Sequence, residues 1–189
     1  MNETSTITTI LLDRDGVINF DSPDYILTAA QWQAIPGSLE AIARAKQAGM
    51  QTALISNQSA LGRGMIPQAD FDAIHATMMS AIAQQHGALD AVMYCPHAPE
   101  DQCLCRKPLP GMIHQALQAL HTTSDTAVMI GDSLRDVQAA IAAGVRPILV
   151  QSGYGDAAAI LAKAQKLDHN IAAYPDLASA MTAVLGNKP

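Results

Sequence analysis

Two aspartates, Asp13 and Asp15, follow a short apolar run at residues 7–12. Carboxylates two positions apart, just past a strand, can both face one point in space. One carboxylate can attack phosphorus as a nucleophile, and its neighbour can protonate the leaving oxygen and then deprotonate a water. An ordinary Asp-Gly turn produces the same pattern. The two residues therefore predict either a phosphoryl-transfer centre or a polar turn.

A second acidic segment, residues 131–136 with the sequence GDSLRD, also follows an apolar run. Asp132 is placed to ligate Mg²⁺, a hard cation that prefers oxygen ligands and substrate phosphate. Asp136 comes one helical turn later, where it can orient the loop or the waters of the metal. The alternative is an ordinary helix N-cap, in which Asp and Ser are common.

Two further segments offer groups that bind phosphate. Lys107, beside Arg106, can offset the repulsion between two aspartates and stabilise developing charge. Arg106 can hold a second phosphate or a sugar oxygen through two hydrogen bonds. Ser56 and Asn57 close an apolar run, where a hydroxyl and backbone N–H groups can receive phosphate oxygens. Taken separately, these segments are equally compatible with a solvated basic pair and a turn.

All three cysteines lie in one short window, residues 95–105, together with a histidine. Their spacing is C-x-H-x₅-C-x-C, and three thiolates with one imidazole form a closed tetrahedral set typical of structural zinc. We expect Zn²⁺ to fold a loop at residues 95–107, with no ligand position left open to activate water. The alternative is a group of free buried cysteines. The predicted zinc ligands are Cys95, His97, Cys103 and Cys105.

Composition narrows the classes of partner and compartment. The chain has 189 residues, which predicts one domain, with residues 1–6 flexible. A net charge of −6 argues against a nucleic-acid partner. The first residues lack a basic start and an apolar run, and no segment approaches the roughly 20 apolar residues of a membrane span. The odd cysteine count is a poor disulfide framework, so we expect a cytoplasmic protein, acting as a monomer.

Apolar runs alternate with amphipathic segments along the whole chain, which predicts a doubly wound α/β fold with one parallel sheet and helices on both faces. The predicted strands are residues 7–12, 52–55, 90–94, 126–130 and 147–150. The predicted helices are residues 38–48, 67–86, 111–120, 134–143 and 177–185. Ligands of such sheets bind beyond the carboxyl ends of the strands, where the polar segments above are found. Too few residues separate positions 16 and 36 for a large cap domain.

Taken in order along the chain, these polar segments resemble the haloacid dehalogenase superfamily of phosphotransferases, and the resemblance covers essentially the whole sequence. It implies that Asp13 is the covalent nucleophile and Asp15 the general acid/base. It implies that Ser56 and Lys107 hold the phosphoryl group. The Mg²⁺ ligands implied are Asp13, the Asp15 carbonyl and Asp132. A phosphosugar-binding protein that has lost catalysis is the alternative hypothesis. The presence of both Asp13 and Asp15 favours a phosphatase over it.

The zinc-loop segment, residues 94–108, is similar to the branch that holds D-glycero-D-manno-heptose 1,7-bisphosphate phosphatases and histidinol-phosphatases. Residues 57–64 and 107–112 look closer to the heptose enzymes. The resemblance implies removal of the 7-phosphate in lipopolysaccharide biosynthesis; histidinol phosphate, or another small phosphorylated metabolite, is the alternative substrate. Arg63 and Arg106 would then bind the uncleaved phosphate. The substrate-binding residues expected are Asn19, Asp21, Tyr25, Asn57, Gln58, Arg63 and Arg106.

Overall fold

A six-stranded sheet organises the protein, whose computed structural model describes residues 6–186. All neighbouring strands pair in parallel, in the order β3-β2-β1-β4-β5-β6. The strands are β1 (Thr9–Leu12), β2 (Gln51–Asn57), β3 (Ala91–Cys95), β4 (Ala127–Gly131), β5 (Arg146–Val150) and β6 (Ala172–Tyr174). The prediction of a parallel α/β sheet is confirmed. Of the segment expected to be flexible, residues 1–5 lie outside the described residues.

Helices cover both faces of the sheet, as a parallel sheet requires. They are α1 (Ser38–Gln47), α2 (Ser59–Gly62), α3 (Gln68–Gln84), α4 (Gly111–Ala119), α5 (Leu134–Ala142), α6 (Ala157–Ala164) and α7 (Leu177–Leu185). Side chains alternate across β1, so Ile10 and Leu12 pack in one core with α1, α3 and α7. Leu11 faces the opposite core, which α4 and α5 close. The chain is therefore doubly wound around the sheet.

Three elements were not predicted from the sequence. The edge strand β6 is three residues long and only half-buried, so it carries no apolar run. The helix α6 begins after Asp156, whose carboxylate accepts a hydrogen bond from Ala159 N at 3.0 Å. The short α2 is a single turn after β2. None of the three alters the fold class.

The register of the central strands fixes where the site lies. Leu12 stands opposite Leu54 of β2 and Ile130 of β4, so the carboxyl ends of these strands meet at one edge. From this edge the chain continues into residues 13–37, whose only regular element is the 3-10 helix Ala29–Gln31. The described part of the chain therefore carries no folded cap between β1 and α1. None of its helices is both long and apolar enough to cross a membrane.

Candidate active site

Asp13 lies at the carboxyl end of the central strand β1, where its amide donates to Ile130 O at 3.0 Å. The chain then turns sharply: the carbonyl of Arg14 accepts from the amides of Val17, Ile18 and Asn19. Gly16 allows this turn because it has a φ of 77°, which side chains rarely adopt. The turn keeps both carboxylates at the edge of the sheet.

The ammonium group of Lys107 lies between two carboxylates in the interior. Its Nζ is 2.9 Å from Asp13 Oδ1 and 2.5 Å from Asp136 Oδ1, and it donates to Ile55 O at 2.8 Å. The lysine is 2% exposed, so solvent screens these charges little. Burial alone would raise the pKa of Asp136, but Lys107 and Ser133 hold it below its usual value. The carboxylates likewise keep Lys107 charged despite its burial.

The second carboxylate oxygen of Asp136 is held by hydrogen bonds from Ser133, the residue that precedes α5. Its Oδ2 accepts from Ser133 N at 3.0 Å and from Ser133 Oγ at 2.6 Å. Gly131 makes room for it, because a Cβ at this glycine would overlap the Asp136 side chain. Asp136 therefore connects the end of β4 to Lys107 as a buried ion-pair partner.

Asp132 packs against two glycines from different loops. A Cβ on Gly16 would lie 2.6 Å from Asp132 Oδ2, and a Cβ on Gly153 would overlap the same carboxylate. The loop that carries Gly153 follows β5 and is tied to the first loop, since Ser152 Oγ donates to Gly16 O at 2.7 Å. Three chain segments thus come together around the Asp132 carboxylate.

The aspartates at this edge form a donor set that suits a hard cation. Carboxylate oxygens of Asp13, Asp132 and Asp136 lie within 4.8 Å of one another. Burial and neighbouring carboxylates raise the pKa of Asp13 to about 7 and that of Asp132 to about 8, against the opposing effect of Lys107. Burial is the main cause in both residues, and the neighbouring carboxylates add to it. Both oxygens of Asp136 are engaged, by Lys107 and by Ser133, whereas Asp13 meets Lys107 through Oδ1 alone. Asp13 and Asp132 are therefore the carboxylates better placed to ligate Mg²⁺, which fits an all-oxygen site.

Lys107 is held in place by Asn57, at the end of β2. The Asn57 amide donates to Lys107 O, and its carbonyl accepts from Lys107 N, both at 3.0 Å. The Asn57 side chain thus satisfies both the N–H and the C=O of the Lys107 backbone, as a neighbouring strand would in a sheet. Because both ends of the Asn57 amide are engaged, its contribution is to position Lys107.

Four donors surround the Asp15 carboxylate. Its Oδ1 accepts from Arg14 Nε at 3.0 Å and from Asn19 Nδ2 at 2.9 Å. Its Oδ2 accepts from Arg14 NH2 at 3.0 Å and from Gln58 Nε2 at 2.9 Å. Burial would raise the pKa of Asp15, but Arg14 and the other donors hold it below its usual value. Gln58 Nε2 also donates to Ser56 Oγ at 2.9 Å, which links Asp15 to the predicted phosphate-binding serine.

The three cysteines and His97 converge at the end of β3. The Sγ atoms of the cysteines are 3.3–3.6 Å apart, and His97 Nδ1 lies 3.6 Å from Cys95 Sγ and 3.3 Å from Cys105 Sγ. Zn–S bonds of about 2.3 Å place tetrahedral sulfurs about 3.8 Å apart, close to this spacing. Three sulfurs and one imidazole nitrogen therefore fit zinc in chemistry and in geometry.

A cavity of about 280 Å³ opens at this edge of the sheet. Asp13, Asp15, Ser56, Lys107 and Asp132 all line it. A neighbouring groove of about 410 Å³ runs along the cysteine loop, and Arg106, Lys107 and Arg135 line both spaces. The cavity holds carboxylates, a hydroxyl and cations together, which is the set of groups that phosphoryl transfer requires.

Comparison with known proteins agrees with this geometry. A D-glycero-β-D-manno-heptose-1,7-bisphosphate 7-phosphatase from Bordetella bronchiseptica is 49% identical over 146 residues, covering 77% of this chain and 82% of the relative. The chain belongs to this phosphatase family. A family member from Pseudomonas aeruginosa is 41% identical over 176 residues, covering 93% of this chain and 97% of the relative. Residues 104–179 also match the family described as HAD-hydrolase-like.

Solved structures of heptose-bisphosphate phosphatases share the fold. The B. bronchiseptica enzyme, complexed with magnesium and phosphate, superposes with a TM-score of 0.88 at 43% identity, covering 95% of this chain and 98% of that one. The enzyme from Burkholderia thailandensis gives a TM-score of 0.72 at 34% identity, with 95% and 99% covered. Fold and sequence similarity therefore extend over nearly the whole chain.

Most predicted substrate-binding residues line the cavity, namely Asp21, Tyr25, Asn57, Gln58 and Arg106. Asn19 does not line it. The side chain is fully buried beneath Asp15, where Asn19 Oδ1 accepts from Trp32 Nε1 at 3.0 Å. Arg63 is also absent from the lining; its guanidinium is exposed and lies 3.4 Å from Glu100.

Sequence reasoning did not assign a site role to Arg14, Arg135 or Gly153. Arg135 lines the cavity as an exposed residue at the start of α5, one position after Leu134. Its place within the segment 131–136, between Asp132 and Asp136, was the available signal. Arg14 is buried and Gly153 belongs to another loop, so neither carried a signal apart from the packing of the folded chain.

Proposed function

We propose that this chain is a Mg²⁺-dependent phosphatase that removes the 7-phosphate of D-glycero-D-manno-heptose 1,7-bisphosphate. The observation that supports it most directly is the position of Asp13, beside Lys107 and Asp132 in a cavity that also holds Asp15. The family relatives at up to 49% identity carry this activity in their names. We further propose that the protein works in the cytoplasm as a monomer.

The reaction begins with attack of an Asp13 carboxylate oxygen on the phosphorus. The bond from phosphorus to the sugar oxygen breaks as Asp15 gives that oxygen a proton, leaving an aspartyl-phosphate on Asp13. Asp15 holds this proton in the substrate complex, where the negative charge of the bound phosphate opposes the donors that lower its pKa. Asp15, now ionised, takes a proton from a water that attacks the same phosphorus. Inorganic phosphate leaves, and Asp13 is restored. The two carboxylates therefore have distinct roles, one forming a bond and the other moving a proton.

The other residues stabilise charge and orient the phosphoryl group. Lys107 lowers the pKa of Asp13 against the effect of burial and offers its ammonium to a phosphoryl oxygen, and Ser56 offers its hydroxyl to another. Asp13, the Asp15 carbonyl and Asp132 would hold Mg²⁺, which would supply positive charge to offset the negative charge of the phosphoryl group. Asn57 and Gln58 act by holding Lys107 and the Asp15–Ser56 pair.

We propose that substrate selection depends on two arginines that line the cavity. Arg106 and Arg135 line both the cavity and the adjoining groove, so an uncleaved phosphate has two cations within that space. Arg63, which pairs with Glu100 away from the cavity, is less suited to this contact than the sequence suggested. Asp21 and Tyr25 lie on the loop after β1 and also line the cavity, where they can contact sugar hydroxyls.

We propose that the loop at residues 95–107 holds a structural Zn²⁺ through Cys95, His97, Cys103 and Cys105. The support is the spacing of these four donor atoms. The ion would join the end of β3 to the segment that carries Arg106 and Lys107. Its role is to fix these two cations, and all of its ligand positions are taken by the protein.

The test is steady-state phosphate release from heptose 1,7-bisphosphate and from histidinol phosphate, with Mg²⁺ and then with EDTA. We expect a large preference in kcat/KM for the bisphosphate and no turnover with EDTA. Asp13→Asn is expected to abolish turnover with the fold retained, whereas Asp70→Asn, an exposed aspartate on α3, should behave as wild type. A preference for histidinol phosphate would exclude the proposed substrate, and an active Asp13→Asn would exclude the covalent route.

A further inference from the structure

Arg14 separates the two aspartates in the chain, and its side chain is buried. The residue is 2% exposed, although arginine is rarely buried unless it is paired. Its partner is the next residue in the chain, since Nε and NH2 each donate to a different oxygen of Asp15 at 3.0 Å. A two-pronged contact of this kind fixes the plane of a carboxylate as well as its position.

Arg14 is itself supported from a different part of the fold. Its positive charge lowers the pKa of the Tyr94 phenol on β3 against the effect of burial, which places the two side chains near one another. The phenol oxygen lies 3.0 Å from His75 Nδ1 on α3, and the tyrosine ring packs edge-on against Phe71 with ring centroids 4.9 Å apart. Arg14 thus contacts Asp15 and acts on Tyr94 through its charge, and Tyr94 in turn contacts a half-buried histidine.

The remaining donors to Asp15 do not duplicate this arrangement. Asn19 reaches Oδ1 and Gln58 reaches Oδ2, each through a single hydrogen bond. Asn19 and Gln58 each restrain a single oxygen, whereas one group contacts both oxygens at once. Arg14 is that group among the described residues.

We propose that Arg14, supported by Tyr94 and His75, is a positioning residue that aims the Asp15 carboxyl group at the leaving oxygen of the substrate. The proposal rests on the role of Asp15 as general acid given above. A lysine at position 14 would retain the positive charge and lose the planar fork, because an ammonium is a point donor. Arg14→Lys therefore separates orientation from charge.

Leaving-group dependence distinguishes positioning from a general structural role. Phenyl phosphate and p-nitrophenyl phosphate have nearly the same shape, but phenolate needs a proton to depart and p-nitrophenolate leaves readily as an anion. The value of kcat/KM covers events up to departure of the leaving group, so later hydrolysis of the aspartyl-phosphate does not enter it. The ratio of kcat/KM between the two substrates thus reports proton donation by Asp15.

We expect Arg14→Lys to lower the ratio of kcat/KM for phenyl phosphate to kcat/KM for p-nitrophenyl phosphate about tenfold. This is a part of the roughly 10²–10⁴-fold rate increase that general acid catalysis supplies. Tyr94→Phe, which keeps the ring and removes the hydroxyl, should lower the ratio about threefold, since positioning contributes in part to that effect. Arg44→Lys is the matched control: Arg44 is exposed on α1 and donates to Thr182 Oγ1, and the ratio should be unchanged.

Asp15→Asn on the same substrates separates the two proposals. If Asp15→Asn leaves the ratio unchanged, the general-acid role of Asp15 is refuted, and the proposed function must be revised. If Asp15→Asn lowers the ratio and Arg14→Lys does not, the positioning role of Arg14 is overturned. Should Arg14→Lys fail to fold by circular dichroism, the Tyr94→Phe ratio decides, and an unchanged value counts against the proposal.

Discussion

Replacement of Lys107 by Met is the most informative perturbation of the buried charges. Methionine has nearly the length of the lysine stem, so it fills the space and removes only the ammonium group. That group lies 2.9 Å from Asp13 and 2.5 Å from Asp136. The variant therefore leaves two carboxylates in the interior without their shared cation.

The size of the effect follows from the burial of the ion pairs. Removing one partner of a buried pair costs about 3–5 kcal/mol, because the other charge stays buried and uncompensated. Without Lys107 the pKa of both carboxyl groups rises in the folded state, and protonation then relieves the cost. A raised carboxyl pKa costs stability in full above the folded-state pKa, and the cost shrinks as the pH falls below it towards the unfolded-state pKa of about 4. The loss of stability should thus be largest near pH 8 and smaller near pH 5.5.

The assay is urea unfolding of the wild type and the variant at both pH values, without added Mg²⁺. Lys46→Met is the control, because Lys46 pairs with Asp90 at the surface and such pairs contribute about 0–1 kcal/mol. Lys107→Met should also have no detectable phosphatase activity. A loss below about 1 kcal/mol at pH 8, or a loss that grows towards pH 5.5, would refute this account of the buried charges.

Further predictions concern the Asp132 environment, the cysteine loop and the start of β2. Gly153→Ala should raise the Mg²⁺ concentration for half-maximal activity roughly tenfold, since the new Cβ displaces Asp132; an unchanged titration would contradict this. Cys103→Ser should lower the zinc content by metal analysis and kcat at saturating Mg²⁺, and full activity without zinc would exclude the positioning role of the ion. Asp90→Asn should lower the unfolding free energy by about 1 kcal/mol at pH 7, because Lys46 and the amide of Thr52 depress the pKa of Asp90 below its usual value. That difference should vanish as the pH falls below about 4, and a constant difference across pH would be inconsistent with it.

The fold could be predicted because its signals are local. Each central strand is an apolar run that ends in a polar residue, and this pattern marks both the strand and its carboxyl end. The three-residue edge strand β6 has no such run, so it was missed. The helix α6 had a signal that was not used, namely Asp156 followed by three alanines.

The site was predictable where residues directly follow strands, and less so where packing decides. Asp13, Ser56 and Asp132 follow or close strands and reach the same cavity. The partnership of Asp136 with Lys107 joins residues that are distant in the chain, and only the packed helices show it. Asn19 reads as a polar loop residue in the sequence, yet Trp32 and Asp15 hold it in the interior. The residues that carry out the reaction could thus be identified from their types and positions in the sequence. The buried residues that hold them in place could not.

The central position of β1 has a consequence for motion in the site. Its four residues are fully buried, with paired strands on both sides, and the Asp13 amide continues the ladder. Amides of this kind exchange with solvent only when much of the molecule opens, whereas loops open locally. Asp15 lies on the loop, two residues further on. The attacking oxygen therefore rests on the most protected part of the backbone, whereas the proton donor lies on a loop and depends on its side-chain hydrogen bonds for its position.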